Sequence, residues 1–446
     1  MKAMSVTDLI RAVHGELLQS GAAEFCGVST DSRRVKEGEL FLPIVGETFD
    51  GHSFIDKALD AGAAGCLCAN VPETLLPGKF YVKVADTTVA YKDLAAWYRA
   101  QFDLSVVQVT GSVGKTTTKE MIASVLSQRF KTLKTEANFN NEIGTPMTLL
   151  RLDETYEAAV IETGMDRAGQ IRYLGEMVKP TVAVITNIGD MHIEYLGSRE
   201  GIFRAKCEIF ENLSADGVAV LNGDDEWLGR VCLPQEIVTV GTMAHCAARV
   251  TDVVDRGIDG VNCVVTTNKA RYELQIPAPG AHMIYPASTA VAVGEALGMS
   301  ADEITRGVAA YEPAGSRMRV VRLSGNRRLL DDCYNAGPQS MAASLRVLGG
   351  SEGATGAVLG DMAELGELTV SAHREMGALA KELGIGKVIA VGRKAKDLAD
   401  AANDDWYATV DEALSAIRAA FAPDTAMLVK ASHSMHFEKI TEELTK

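Results

Sequence analysis

The chain reads TGSVGKTTTKE at residues 110–120, between the β-branched run Ser105–Val109 and an apolar helical pattern over 120–126. A strand, a glycine turn and a helix start in this order form a cradle for phosphate, because backbone N–H groups and the positive end of the helix face the anion. Lys115 adds a positive charge, and the hydroxyl of Thr116 is placed to bind Mg²⁺. The general phosphate-loop pattern has a glycine where this chain has Val109, so the shorter Gly-x-x-Gly-Lys-Thr form carries the prediction. A glycine-rich turn without a ligand is the alternative.

Composition limits the class of protein. A length of 446 residues predicts about three domains. The hydrophobic content of 47% and the charged content of 23% are typical of a globular protein with several buried cores. The net charge of −15 argues against broad binding of nucleic acid or anionic membranes. This net charge is compatible with an anionic ligand in a cleft where a few lysines and backbone amides make the local electrostatic potential positive.

The cysteines and the uncharged stretches indicate the compartment. The eight cysteines show no metal-type spacing and fit a reducing environment. Charges at Lys2 and Asp8 come too early for a signal peptide. The longest stretch without an ionised side chain, 274–294, contains three prolines and many small residues, so we expect no membrane span. We therefore expect a cytoplasmic protein.

Alternating strand and helix patterns divide the chain into three α/β units. Residues 1–86 hold short elements, with strands expected at Phe41–Val45 and Phe80–Val84. In the middle unit, 87–316, near-continuous apolar runs are typical of parallel strands buried on both faces, and helices between them complete a doubly wound sheet. Its strands are expected at 158–161, 181–185 and 218–221, with a weaker β region over 249–275.

The third unit, 317–446, is expected to be another α/β sheet that follows a hinge at 312–316. Its short strands are expected at 328–331, 357–359, 387–391 and 427–429. Helical patterns separate these strands at 340–348, 371–383 and 411–421.

Polar residues follow several of these strands, where ligands of open parallel sheets bind. Glu162 closes the strand at 158–161, and His192 lies in the loop after the strand that ends at Ile185. We expect both to converge on a metal held at Thr116. A solvated strand-end charge for Glu162 and a capping or packing histidine for His192 are the alternatives.

Other polar residues are ambiguous on the sequence alone. Lys206 lies in a helical pattern, where a surface lysine is the ordinary interpretation. Asn138, Asn140 and Asn141 suit a polar ligand or an ordinary loop. The strand-end loops at 331–338 and 360–367 either line a cleft or cap helices.

The chain resembles the Mur ligase family over nearly its whole length. The motifs that carry the resemblance are TGSVGKTTTKE at 110–120, DCYNAGP at 332–338, VLGDMAELG at 358–366, and STDSR at 29–33 with Phe41, Gly46 and DGH at 50–52. Within the family, the two motifs of the third unit are similar to those of the branch that adds D-alanyl-D-alanine to UDP-N-acetylmuramoyl-tripeptide.

The resemblance implies three domains with separate roles. Residues 1–86 would bind the UDP end of the sugar substrate, 87–316 would bind ATP, and 317–446 would form a Rossmann-like domain for the incoming dipeptide. ATP would phosphorylate the terminal carboxylate of the tripeptide, and the amine of D-alanyl-D-alanine would attack the acyl phosphate to give the amide, ADP and phosphate. This step would serve peptidoglycan synthesis in the cytoplasm, and we expect a monomer. A ligase that adds a diamino acid to the dipeptide precursor and a non-ligating nucleotide switch remain alternatives.

The resemblance also implies roles for individual residues. Thr116 and Glu162 would hold one Mg²⁺, and His192 would help to hold a second. Lys206 would carry a carbamate formed with CO₂, which turns a cation into an anion able to bind the second metal. The catalytic residues would be Lys115, Lys206, His192 and Glu162. The nucleotide would contact Gly111, Ser112, Val113, Gly114, Lys115, Thr116, Thr117, Arg317 at the phosphates and Asp332 near the ribose.

The substrates would contact residues of all three domains: Ser29, Asp31, Ser32, Arg33, Gly46, Asp50, His52, Asn138, Asn140, Asn141 and Asn335. Four positions depart from the family pattern, namely Pro286, Gly337, Ala431 and His433.

Overall fold

Three main sheets follow one another along the chain in the computed structural model, which describes residues 1–46 and 48–445. Each sheet is mostly parallel and is packed against helices. The predicted three-domain α/β fold is therefore confirmed.

The first domain contains a five-stranded sheet of order β2-β7-β6-β5-β4, parallel except for the β2–β7 pair, and a small antiparallel pair of β1 and β3. Its elements are β1 (Met4–Ser5), α1 (Val6–Val13), β2 (Glu16–Gln19), β3 (Glu24–Phe25), β4 (Val28–Ser29), β5 (Leu40–Phe41), α2 (Ile55–Asp60), β6 (Gly65–Cys68) and β7 (Phe80–Lys83). Helix α3 (Thr87–Arg99) follows at the start of the second unit. The strand predicted at Phe41–Val45 was wrong in extent, because it ends at Phe41. Pro43 lacks the N–H that a continued ladder needs.

Helix α3 joins the first domain to the second through a shared apolar core. Tyr91 and Leu94 of α3 pack in the same buried cluster as Leu67 and Phe80 of the first sheet. The cluster continues into the second domain at Ile161. Burial of this continuous surface holds the two domains together.

The second domain contains a nine-stranded sheet of order β16-β15-β14-β13-β12-β11-β8-β10-β9, which is parallel from β9 to β14. Its strands are β8 (Ser105–Thr110), β9 (Thr132–Lys134), β10 (Ala158–Glu162), β11 (Val182–Ile185), β12 (Val218–Asn222), β13 (Glu236–Gly241), β14 (Ala248–Asp255), β15 (Val261–Thr266) and β16 (Arg271–Ile276). The predicted β region over 249–275 forms the antiparallel strands β14 to β16. Strands β9 and β13 were not predicted.

The helices of this domain cover both faces of the sheet. They are α4 (Lys115–Leu126), α5 (Gly144–Leu149), α6 (Gln170–Val178), α7 (Ile193–Leu196), α8 (Arg199–Cys207), α9 (Ile284–Ala296) and α10 (Ala301–Ala309). Both α9 and α10 pack against α4. The approach of α10 is close at Gly307, whose carbonyl accepts a hydrogen bond from Ser124 Oγ at 2.7 Å.

The third domain contains a six-stranded sheet of order β17-β18-β22-β19-β20-β21, in which the β17–β18 pair is antiparallel. Its elements are β17 (Arg319–Leu323), β18 (Arg327–Asp331), α11 (Pro338–Gly349), β19 (Ala354–Gly360), α12 (Thr369–Glu382), β20 (Lys387–Val391), α13 (Lys396–Ala402), β21 (Asp405–Tyr407), α14 (Val410–Ala420), β22 (Thr425–Lys430) and α15 (Glu438–Thr445). Two apolar clusters lie on its opposite faces. Among the residues described in all three domains, no helix is long and apolar enough to cross a membrane.

We expect Gly307→Ala to destabilise the protein. A methyl group at this position would lie 2.4 Å from Cα of Val125, so α10 would have to move away from α4. Overpacking of this kind costs about 1–3 kcal/mol, whereas glycine to alanine in an unconstrained helix is stabilising. Calorimetry should therefore show a lower unfolding temperature for the transition that includes the second domain.

The matched control is Gly229→Ala, because a methyl group at Gly229 meets nothing within 4 Å. Its unfolding temperature should stay the same or rise slightly. An unchanged unfolding temperature for Gly307→Ala would contradict the close packing of α10 on α4.

Candidate active site

A cavity of about 760 Å³ lies between the second and third domains. One wall is formed by the carboxyl ends of β8, β10 and β11, as the strand-end argument predicted. The register places Glu162 beside Val109 and Ile185 beside Thr110, so the loops after these strands start at one sheet edge. The opposite wall includes Arg317, Asp332 and Tyr334.

The stretch at 110–120 forms the predicted glycine turn and helix start. Gly111 and Gly114 have positive φ angles of 151° and 83°, which favour glycine. Gly114 is the residue before α4, so the first N–H groups of that helix have no intrahelical acceptor and face the cavity. Lys115 Nζ donates to the carbonyl oxygens of Gly111 at 2.9 Å and Ser112 at 3.4 Å. The turn therefore offers the donors that a phosphate group needs.

Glu162 is the central carboxylate of the cavity and is 2% exposed. Its Oε2 accepts a hydrogen bond from Thr116 Oγ1 at 2.7 Å, and its Oε1 accepts one from Asn140 Nδ2 at 2.8 Å. Within the described part of the chain neither oxygen forms an ion pair. A buried carboxylate without a direct ion-pair partner can bind a cation.

Four cationic side chains line the same cavity: Lys115 and Lys206 of the second domain, and Arg317 and Lys430 of the third. Burial lowers the pKa of Lys115, the positive charge of Arg317 lowers it further, and Glu162 opposes both effects. Lys206 is 2% exposed, and burial together with the charge of Lys115 lowers its pKa well below the usual value. These shifts indicate that Lys115 lies close to both Lys206 and Arg317, so an anion bound next to Lys115 would be stabilised.

The surface-lysine interpretation of Lys206 is wrong, because α8 directs its side chain into the cavity. A lysine with a strongly lowered pKa is a neutral amine over a wider pH range than usual. A neutral amine is the form that reacts with CO₂, so the environment of Lys206 fits a carbamate.

His192 also lines the cavity, but its closest charged neighbour belongs to the third domain. His192 Nδ1 lies 2.8 Å from Glu364 Oε2, and this contact lowers the pKa of the Glu364 carboxyl. His192 has a positive φ of 65°, which marks a constrained backbone. The histidine therefore links the two walls of the cavity in this arrangement.

The donor set near Thr116 and Glu162 fits Mg²⁺, which prefers oxygen ligands. No group of three or more histidine, cysteine, aspartate or glutamate side chains is arranged to hold a metal ion within residues 1–46 and 48–445. The chain thus supplies two oxygen ligands here, and a bound Mg²⁺ would need further oxygens from substrate and water.

The third-domain wall is held by its own polar network. Asp332 accepts hydrogen bonds from the backbone N–H of Met318 at 3.0 Å, from Ser344 Oγ at 2.6 Å and from Lys430 Nζ at 2.6 Å. The guanidinium of Arg317 lies 3.5 Å from the centre of the Tyr334 ring, a cation–π contact. Both side chains line the cavity, and so does Asn335.

Asn138 and Asn141, the other two asparagines of the loop that contains Asn140, differ in their contacts. Both line the cavity. Asn141 Oδ1 accepts hydrogen bonds from the N–H groups of Ile143 and Gly144 at the start of α5. Asn141 thus serves as a helix-start cap as well as a cavity residue, and Asn138 remains a candidate for substrate contact.

The candidate residues of the first domain lie outside the set that lines this cavity. Asp31 accepts three hydrogen bonds from Arg33, which lower the pKa of the carboxyl to about 2. Asp50 Oδ1 accepts a hydrogen bond from the backbone N–H of His52 at 2.9 Å. The same oxygen lies 2.6 Å from Nδ1 of His52. His52 Nε2 accepts from the N–H of Ala69, so Nδ1 carries the proton of the neutral ring. These contacts order two surface loops of the first domain.

Further residues line the cavity that the sequence analysis did not single out: Asn187, Asn222, Asp224, Asp225, His282, Tyr285, Tyr334, Gln339, Glu364 and Lys430. Asn222 closes β12 and Lys430 closes β22. Both residues could have been predicted from their positions at the ends of parallel strands. His282 and Tyr285 lie just before and at the start of α9, where no sequence signal marked them.

Comparison with known families covers all three domains. The family model described as "Mur ligase family, catalytic domain" matches residues 24–94, "Mur ligase middle domain" matches 109–294, and "Mur ligase, glutamate ligase domain" matches 316–433.

Curated relatives and solved structures agree with these matches. The UDP-N-acetylmuramoyl-tripeptide–D-alanyl-D-alanine ligase of Bacillus subtilis is 36% identical over 94% of this chain and 93% of its own length. The enzyme of the same name from Escherichia coli is 35% identical over 100% of this chain and 99% of its own length. A crystal structure of MurF from Acinetobacter baumannii has a TM-score of 0.94 at 31% identity and covers 100% of this chain and 99% of that one. MurF ligase from Thermotoga maritima in complex with ADP has a TM-score of 0.83 at 26% identity and covers 93% of this chain and 96% of that one. The chain belongs to the Mur ligase family.

Proposed function

We propose that this chain is an ATP-dependent ligase that joins D-alanyl-D-alanine to UDP-N-acetylmuramoyl-tripeptide. The observation that carries the proposal is the cavity between two domains, which is lined by the phosphate loop with Lys115, by the buried Glu162 and Lys206, and by Arg317 of the third domain. The relatives at 36% and 35% identity are named for this reaction. The ADP complex of the Thermotoga relative supports ATP as the nucleotide.

The first step requires two anions to meet. A carboxylate oxygen of the tripeptide attacks the γ-phosphorus of ATP, the bond to the β–γ bridging oxygen breaks, and ADP leaves. Lys115 and Arg317 reduce the repulsion between the carboxylate and the triphosphate, and they stabilise charge that develops during transfer. The N–H groups at the start of α4 orient the phosphates.

The second step forms the amide. The neutral amine of D-alanyl-D-alanine attacks the acyl carbon, and phosphate leaves with the electron pair of the broken C–O bond. The nitrogen gives up a proton as the amide forms, and the leaving phosphate or solvent takes it up. The third domain supplies one wall of the cavity, so its closure brings the dipeptide to the acyl phosphate and excludes water that would hydrolyse it.

Metal and carbamate sites follow from the same residues. Thr116 Oγ1 and Glu162 would hold one Mg²⁺, which would neutralise phosphate charge. A second Mg²⁺ would be held by a carbamate on Lys206 with help from His192. The lowered pKa of Lys206 and its burial support this role.

The remaining assignments concern the sugar substrate and the active unit. The ordered loops at Asp31–Arg33 and Asp50–His52 support the first domain as the binding site for the UDP end. A monomer is the active unit in this proposal. We propose the cytoplasm as the compartment, because the reaction consumes ATP.

Phosphate release tests the reaction. Purified protein with ATP, Mg²⁺ and UDP-N-acetylmuramoyl-tripeptide should release phosphate rapidly when D-alanyl-D-alanine is added, with one amide product for each phosphate. A diamino acid offered with the dipeptide precursor should give little release. Phosphate release that ignores the dipeptide would exclude the ligase and favour a nucleotide switch.

Lys115→Ala should abolish turnover and leave the fold intact. The substitution removes a cation from a buried site where its charge opposes the repulsion between substrate anions, so we expect a loss of at least about 100-fold in kcat/KM. Phosphate release and circular dichroism measure the two properties. The exposed Lys381→Ala is the control and should keep full activity. Normal turnover by Lys115→Ala would refute the role of the loop.

Lys206→Ala should lose activity, and formate or acetate should restore part of it. A small carboxylate can occupy the space that the carbamate would fill and supply its negative charge. Lys206→Arg should stay inactive with either anion, because the guanidinium keeps its positive charge. Initial rates with and without each anion give the readout.

The same anions should not rescue Lys115→Ala, which serves as the specificity control. Full activity of Lys206→Ala without added anion would exclude the carbamate.

A further inference from the structure

The segment after β11 binds the phosphate loop through both backbone and side-chain atoms. The N–H of Ser112 donates to the carbonyl oxygen of Asn187 at 3.0 Å, and the N–H of Gly189 donates to Ser112 Oγ at 2.8 Å. Thr186 Oγ1 donates to the carbonyl oxygen of Val113 at 2.6 Å. These contacts link the turn to the neighbouring strand of the sheet.

Asn187 makes the most complete of these contacts. Its Oδ1 accepts from the N–H of Val113, and its Nδ2 donates to the carbonyl oxygen of the same residue, each at 2.9 Å. The side-chain amide thus binds both polar backbone atoms of Val113, much as a neighbouring strand would. This pairing fixes the orientation of the peptide groups on either side of Val113.

The loop needs an external support of this kind. Gly111 and Gly114 flank the turn, and glycine loses more conformational freedom on ordering than other residues do. The side chain of Lys115 contacts the loop carbonyls, but its ammonium is needed for phosphate. Without another support, ligand binding would have to supply the free energy that orders the loop.

The contacts also divide the donors of the loop between two roles. The N–H groups of Ser112 and Val113 are both engaged by Asn187. The N–H groups from Gly114 into the first turn of α4 remain for an anion. Asn187 therefore determines which backbone donors face the cavity.

We propose that Asn187 is a positioning residue that holds the phosphate loop in its binding conformation before the nucleotide arrives. This inference rests on the proposed function in one respect, namely that the loop receives the nucleotide phosphates. Asn187 also lines the cavity, so direct contact with the ligand is the competing role. The two roles differ in the protein without nucleotide, where a positioning residue orders the loop and a ligand contact does not.

The test compares Asn187→Ala with the parent in the full chain. Hydrogen exchange of peptides that cover 109–118, measured without nucleotide, should become faster in the variant, because the Val113 N–H loses its acceptor and the Val113 carbonyl keeps only the Thr186 hydroxyl. The affinity for Mg²⁺-ADP, measured by calorimetry, should fall on the order of tenfold, as expected for the loss of one or two hydrogen bonds. In steady-state kinetics, kcat, which is the rate constant at saturating ATP, should change less than the KM for ATP.

Asn212→Ala is the matched control. Asn212 Oδ1 accepts from Lys179 Nζ at 2.9 Å and its Nδ2 donates to the carbonyl oxygen of Arg172 at 3.2 Å, so the substitution removes a similar pair of hydrogen bonds outside the cavity. Loop exchange and ADP affinity should match the parent in this control.

Unchanged loop exchange in Asn187→Ala would overturn the proposal, and unchanged exchange with weaker ADP binding would assign a direct contact instead. If Asn187→Ala does not fold, Asn187→Asp keeps an acceptor for the Val113 N–H but replaces the donor to the Val113 carbonyl with a repelling oxygen, so it should accelerate exchange in the same peptides. Its failure to do so would equally overturn the proposal. If the parent fails to bind ADP, the proposed nucleotide site is wrong, whereas the exchange result still decides the role of Asn187.

Discussion

The site depends on the parallel pairing of β8 with β10 and β11. In a parallel sheet the carboxyl ends of neighbouring strands meet at one edge, and this register sets Glu162 beside Val109 and Ile185 beside Thr110. The phosphate loop, the buried carboxylate and the loop that contains Asn187 are therefore brought together by strand pairing. Residues separated by more than 70 positions in sequence reach hydrogen-bonding distance in this way.

A second constraint is the local balance of charge. The chain is acidic overall, at −15, and carboxylates also line its main cavity, yet the half-buried Lys115 and the buried Lys206 lie there beside the phosphate loop. Desolvation lowers the pKa of both lysines, and repulsion from a neighbouring cation lowers each pKa further. This repulsion is strong because the local dielectric constant is low. An anion bound next to these lysines would relieve the repulsion, although the outer surface repels anions.

The features that the sequence predicted well are local or follow from strand ends. The glycine turn at 110–120 has a short-range pattern, and Glu162 closes an apolar strand, so both were found. The burial of Lys206 depends on how α8 packs, which one helix pattern does not reveal. The pairing of His192 with Glu364 depends on the contact between two domains. Asn187 was visible as part of a polar loop, but its two bonds to Val113 require the folded turn.

The core shared by the first two domains has a consequence for substrate selection. Because α3, the first sheet and Ile161 pack into one apolar cluster, the first two domains are expected to move as a single body, and any motion at the predicted hinge at 312–316 would move the third domain alone. The distance from the loops proposed to bind the sugar nucleotide to the phosphate loop would then be constant. The two domains would act as a molecular ruler, which accepts a peptide whose length brings its free carboxylate to Lys115 and leaves shorter precursors out of reach.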